Sequence, residues 1–128
     1  MKIEYVSLGE NCLADNILNR YHLKAFSTPY SHGRSNIDCA LALEKCKYRV
    51  LLNQRYLHYE MYGKKQVVRN SALRKCDDIF ISDQKHGFEF THHDVIGNAA
   101  HLKSYSRKVK RMRRLRRVKG VVFFTIIG

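Results

Sequence analysis

Lys2-Ile3-Glu4-Tyr5-Val6-Ser7-Leu8 followed by Gly9-Glu10-Asn11-Cys12 stands near the start of the chain, and Val121-Val122-Phe123-Phe124-Thr125-Ile126-Ile127 stands near its end. The first run alternates β-forming residues and halts at a glycine, so it reads as a strand that enters a tight turn. From Cys12 to Tyr21 the apolar residues Leu13, Ile17 and Leu18 fall on one face of a short helix. The second run is almost continuously apolar, as in a strand buried on both faces of a parallel sheet. Together these runs predict a single three-layer α/β domain over residues 1–128, with a short, mostly parallel central sheet in which the first and last strands are neighbours. A papain-like α+β arrangement is the alternative. A central strand at the end of the chain predicts that C-terminal elements of the domain are missing.

Between these runs, Phe26 to Asn36 is rich in Ser, Thr, Pro, Gly and Asn and reads as a loop, with Ser35 or Asn36 able to cap a helix from Ile37 to about Cys46. Arg49 to Glu60 carries Val50, Leu51 and Leu57 at spacings that suit either another helix or an irregular segment. Ile79–Ser82 and Phe88–Thr91 are short β-type runs, read as a hairpin across residues 83–87. From Leu102 a stripe of Leu102, Tyr105, Val109, Met112, Leu115 and Val118 predicts an amphipathic helix, which Gly120 ends.

A chain of 128 residues that is 45% hydrophobic, with one proline, has the composition of a globular domain able to bury its own core. It opens without the apolar run of a signal peptide and has no stretch long enough to span a bilayer, which predicts a soluble, cytoplasmic protein without a transmembrane segment. The four cysteines form no CxxC pair and are expected as reduced thiols. Cys39 and Cys46 are spaced to share a helix face as small apolar fillers. The net charge of +13 is local: ten of the 24 Lys and Arg residues lie between Lys103 and Lys119, where there is no acid, and the remainder carries 14 basic against 11 acidic residues. The basicity therefore belongs to one helix.

Cys12 follows a strand and a glycine turn and stands at the first turn of a helix, where free backbone N–H groups and the helix dipole favour a thiolate. Asn11, Gly9 and Ser7 are the accompanying oxyanion or positioning groups. Packing of strand against helix by a small buried thiol is the competing reading of Cys12. A thiol nucleophile needs a base, and His92-His93-Asp94 follows the Phe88–Thr91 strand, which places His93 or His92 as candidates. Asp94 is adjacent to His93, and neighbouring side chains on a strand point apart, so its role as orienting acid does not follow from sequence. The same residues lack HExxH or HxH spacing, so no metal or other cofactor is expected. Arg107, Arg111, Arg114 and Arg117 on the basic helix suit contact with a polyanion such as a nucleic acid or glycan.

The order of Val6-Ser7-Leu8-Gly9-Glu10-Asn11-Cys12, His93-Asp94, then Tyr105-Ser106-Arg107-Lys108-Val109-Lys110-Arg111 and an apolar strand resembles the DUF1796 family, described as papain-like cysteine peptidases. That resemblance implies Cys12 as nucleophile, His93 as base and Asp94 within or behind the site, acting on an ester or amide substrate. Many members carry a Pro-Phe-Asp-Trp-like segment where this chain has Ser27-Thr28-Pro29-Tyr30-Ser31, and members usually continue beyond the last strand. The layout of strand, turn, nucleophile and helix equally suits a GDSL-like esterase or acyltransferase with sulfur in place of the serine oxygen.

Overall fold

The computed structural model describes residues 4–7, 13–22, 27–35, 37–76, 88–115 and 121–124. Its elements run β1 (Glu4–Ser7), α1 (Leu13–Arg20), β2 (Arg34–Ser35), α2 (Ile37–Lys45), β3 (Leu57–Tyr62), β4 (Lys65–Asn70), a 3-10 turn (Ser71–Cys76), β5 (Phe88–Phe90), α3 (Ala99–Leu115) and β6 (Val121–Phe124). β1 and β6 pair in parallel, Glu4 opposite Val121 through Ser7 opposite Phe124, so these strands are neighbours as expected, but among the described residues they form a two-stranded sheet of their own rather than the centre of a larger one.

The expected central sheet of mostly parallel strands is overturned. The larger sheet has four strands in the order β2-β5-β4-β3, and every pairing in it is antiparallel. The cause is local. Gly63-Lys64 joins β3 to β4, and Gly63 adopts a left-handed φ of 61°. A two-residue connection closes only an antiparallel pair, here with Leu57 opposite Asn70 and Tyr62 opposite Lys65. Helices and strands still mix along the chain in the manner of an α/β protein.

Arg49–Glu60 is not a helix. α2 ends where Lys47 and Tyr48 take positive φ values of 55° and 62°, and Tyr48 N–H reaches back to the Leu43 carbonyl at 2.8 Å. This wrap satisfies a carbonyl at the helix end and turns the chain away from the helix axis. Burial holds it there: the Tyr48 ring is 2% exposed, and its hydroxyl donates to Glu44 Oε1 at 2.7 Å and meets the Tyr30 hydroxyl at 3.0 Å. Tight turns follow, and β3 begins at Leu57.

Ile79–Ser82 and residues 83–87 of the expected hairpin lie outside the described residues; among the described strands, β5 pairs with β2 and β4. Alternation along β5 divides its environment. Phe88 and Phe90 enter the core with Tyr30, Val68 and Tyr105, the Phe90 and Tyr105 rings crossing edge to face at 4.9 Å. Glu89 points the other way and pairs with Arg69 of β4 at 3.3 Å, both side chains buried.

The basic helix starts earlier than Leu102. Asn98 caps it, its Oδ1 accepting from the Ala100 and His101 amides at 3.0 and 3.2 Å. The stripe Tyr105, Val109 and Met112 is buried in the core, with Leu102 and Leu115 packed beside it. The expected continuation through Val118 to Gly120 lies outside the described residues. Cys39 is buried in α2, and Cys46 is half-buried just beyond it.

Candidate active site

The segment after β5 is tied down by a carboxylate. Asp94 Oδ1 accepts from the amides of Ile96 at 3.0 Å and Gly97 at 2.8 Å, and the Tyr59 hydroxyl lies 2.9 Å from each carboxylate oxygen. The Gly97 amide, with help from Tyr59 and Ile96, holds the Asp94 carboxyl below its ordinary pKa against a partial desolvation that pulls the other way. The same carboxylate raises the Tyr59 hydroxyl. Gly97 leaves room for this contact: a Cβ there would stand 2.8 Å from Asp94 Oδ2 and 2.9 Å from the Tyr59 oxygen, so one of those side chains would have to shift. The Asp94 amide donates to His101 Nδ1 at 2.9 Å, so neutral His101 carries its proton on Nε2.

That knot sets the direction of His93. Its imidazole meets the rings of Tyr105 and His101 edge to face, at 5.3 and 4.9 Å, and lies 5.7 Å from the ring of His32. His93 Nδ1 is buried without a hydrogen-bond partner, as is the Tyr105 hydroxyl. Burial first, then the positive field of Lys108 and the neighbouring histidines His101, His32 and His92, lowers the His93 pKa to about 4. At neutral pH it is therefore an uncharged imidazole and a proton acceptor. Burial likewise raises the Tyr105 phenol.

His93 lies between two clefts. One, of about 280 Å³, is walled by Tyr59, Val68, Phe90, His92, Asp94 and His101. The other, of about 460 Å³, has Ser27 and His32 on one wall and the Ser104, Arg107, Lys108 and Arg111 stripe of α3 on the other. The Ser27–Ser31 turn presents His32 here: Ser31 Oγ accepts from the Thr28 amide at 2.8 Å, and the ring of Tyr30 is buried in the core.

A family model described as "Putative papain-like cysteine peptidase (DUF1796)" matches residues 3–128. The chain belongs to the DUF1796 family. No curated protein and no solved structure matches it.

Of the residues for which the family and the sequence make a case, Cys12, Gly9, Asn11 and Arg117 lie outside the described residues. Ser7 ends β1 opposite Phe124, and α1 begins at Leu13. His93 lines both clefts, whereas His92 is exposed and lines only the smaller one. Asp94 spends its oxygens on Tyr59 and two amides rather than on His93. Arg107 and Arg111 share the larger cleft, and Arg114 is exposed farther along the helix. Among the described residues, no group of three or more His, Cys, Asp and Glu is placed to hold a metal ion, and no helix is long and apolar enough to cross a membrane.

Four residues around these clefts are not singled out by the sequence. His32 sits in what reads as an ordinary polar loop, and Tyr59 in the segment with ambiguous periodicity. His101 is eight positions from His93, a separation that corresponds to no local motif. Lys108 reads as one of many cations on an outer face, yet it is 6% exposed, with Nζ 4.4 Å from the centre of the Tyr105 ring. For Lys108 the one available signal was its spacing: Ser104, Arg107, Lys108 and Arg111 follow an i, i+3, i+4, i+7 stripe.

Proposed function

We propose that this chain is a thiol hydrolase in which the Cys12 thiolate attacks an ester or amide carbonyl and His93 handles the proton. The observation that carries this reading is His93 itself: a neutral imidazole with an unpartnered, buried Nδ1, set where two clefts meet. Further support comes from the sequence around Cys12, which precedes the first residue of α1, and from the family's description. The N-terminal turn of a helix favours a thiolate.

In this mechanism Cys12 passes its proton to His93 as sulfur bonds to the carbonyl carbon. The oxyanion is stabilised by Asn11 and by backbone amides of the turn after Gly9, with Ser7 positioning the strand end. Collapse breaks the carbon–oxygen or carbon–nitrogen bond, and His93 returns the proton to the leaving group. Water, deprotonated by His93, then cleaves the thioester and regenerates the thiol. Asp94 is a positioning residue: it holds the segment that carries His93 and passes no proton. A thiolate beside His93 opposes the cationic field and raises the pKa of the imidazole, so the pair is mutually stabilising.

The test is the pH dependence of Cys12 alkylation, read by mass spectrometry in the parent chain, His93→Ala and His92→Ala. Reaction well below pH 8 that His93→Ala abolishes and His92→Ala preserves is the expected result. A Cys12 that titrates like a free thiol in all three chains overturns the reading.

A second reading has an observation of its own. Lys103, Lys110 and Arg114 are exposed along α3, a disposition that suits binding of an anionic polymer. Such binding would weaken steeply with salt and be indifferent to Cys12→Ala.

A further inference from the structure

Among the described residues, a buried side-chain atom without a hydrogen-bond partner occurs at Arg34, Arg69, His93 and Tyr105. The two guanidinium groups keep other contacts: Arg69 pairs with Glu89, and Arg34 lies over the Tyr62 ring. His93 Nδ1 and the Tyr105 hydroxyl belong instead to two rings that meet edge to face at 5.3 Å. Leaving a buried donor or acceptor unpaired costs more than a made bond gains, and two such atoms on touching rings are an arrangement with a purpose. The other tyrosines of the core show the usual outcome: the Tyr30 and Tyr48 hydroxyls meet at 3.0 Å, and Tyr48 also donates to Glu44. Tyr105 shares the buried stripe of α3 with Val109 and Met112, where phenylalanine would fill the same space with no hydroxyl to satisfy.

We propose that Tyr105 is the orienting partner of His93. Its oxygen accepts from Nδ1–H, directly after a small ring rotation or through one buried water, and Nε2 is left as the basic nitrogen. The groups around His93 lead to Tyr105 by elimination. Asp94 has committed its oxygens to Tyr59, Ile96 and Gly97. His101 has its Nδ1 occupied by the Asp94 amide, so the neutral ring offers His93 a donor and no acceptor, and the Lys108 ammonium offers only donors. A phenol oxygen accepts, and burial keeps Tyr105 protonated. His93 is half-buried with Nδ1 shut off from solvent, so a proton taken from the cleft side arrives at Nε2. Holding one tautomer is what makes an imidazole a competent base, because the lone pair must face the nucleophile. That Nε2 takes its proton from Cys12 rests on the proposed function; the contact between Nδ1 and Tyr105 does not.

The experiment reads the tautomer first, in the Cys12→Ala chain, where thiol chemistry is absent. Long-range proton–nitrogen NMR of the His93 ring reports which nitrogen carries the proton at pH 7. Nδ1–H is expected with Tyr105 present, and Tyr105→Phe should shift the ring toward Nε2–H. The His93 pKa should fall further in that variant, because its imidazolium then holds an unpaired buried Nδ1–H. Tyr105→Phe removes one oxygen and keeps the ring, so a role in packing alone leaves the tautomer unaltered. An Nε2–H tautomer in the chain that retains Tyr105 overturns the proposal, whether or not Tyr105→Phe folds, and so does a tautomer that Tyr105→Phe leaves unchanged. With Cys12 restored, Tyr105→Phe should slow Cys12 alkylation at pH 6 about tenfold, the effect of one pKa unit on the ion pair, and exposed Tyr21→Phe should change it less than about twofold. Equal effects of the two variants overturn the positioning role. If Cys12 titrates like a free thiol while the tautomer responds to Tyr105→Phe, the thiol reading fails and the contact between His93 and Tyr105 stands.

Discussion

Two regions of the molecule hold buried cations in opposite ways. On the face of the antiparallel sheet away from the aromatic core, Arg69 and Glu89 are 5% and 3% exposed and paired, Glu89 also accepts from Thr91, and Glu60 bridges His58 and Arg69. At the α3 cleft, Lys108 is 6% exposed and lies over the Tyr105 ring, with Arg107 and Arg111 lining the same cleft. Carboxylates hold the first cation in the fold, whereas the second is seated on the face of an aromatic ring. The adjacent residues His93 and Asp94 repeat the contrast, the carboxylate saturated by the protein and the imidazole nitrogen left open.

The sharpest way to break the comparison is Arg69→Ala, which strands Glu89 in the interior and is expected to cost about 3–5 kcal/mol in urea unfolding. The double change Arg69→Met with Glu89→Leu should restore most of that loss; if Arg69→Ala were tolerated within 0.5 kcal/mol, the ladder would not be structural. Next is Gly97→Ala, where the added methyl collides with Asp94 and Tyr59. Forcing that contact open should cost about 1–3 kcal/mol and move the His93 resonances as well.

Acid should then separate the two neighbours. Because the His93 pKa is lowered from 6.5 to about 4, the unfolded chain binds this proton first. Stability from this group is complete above pH 6.5 and is lost as pH falls toward 4. Asp94, whose pKa is also lowered, contributes stability above its unfolded value that disappears only at still lower pH. His93→Gln should flatten the upper window of a urea-midpoint profile and leave the lower one; an unchanged upper window would show that His93 is not the group held neutral. The smallest effect belongs to Arg107→Gln, expected within about 0.5 kcal/mol of the parent in the same unfolding assay, because exposed cleft charge does not hold the fold together.

Several of these features were legible in the chain alone. The pairing of first and last strands followed from one alternating and one continuously apolar run, and the basic helix from a stripe of period 3.6. The pair His92-His93 stood out by its place after a strand, without a choice between the two. The β3–β4 hairpin was missed because Leu57 fits a helical and a strand pattern equally, and the deciding event is the pair of left-handed residues at Lys47 and Tyr48, neither a glycine. Nothing local signals that a buried tyrosine will stabilise such a turn.

By itself the sequence determined what short-range periodicity encodes: the first and last strands, the helix that follows the first and the helix that precedes the last, the concentration of positive charge in one segment, and a motif order that belongs to the DUF1796 family. Only the tertiary structure decided strand direction in the larger sheet, and only it brought His32, His93, His101 and Lys108 together from three separate segments of the chain. The physical reason is that burial and electrostatic field are sums over neighbours in space. An imidazole held neutral and a cation packed over an aromatic ring exist only once distant segments have met.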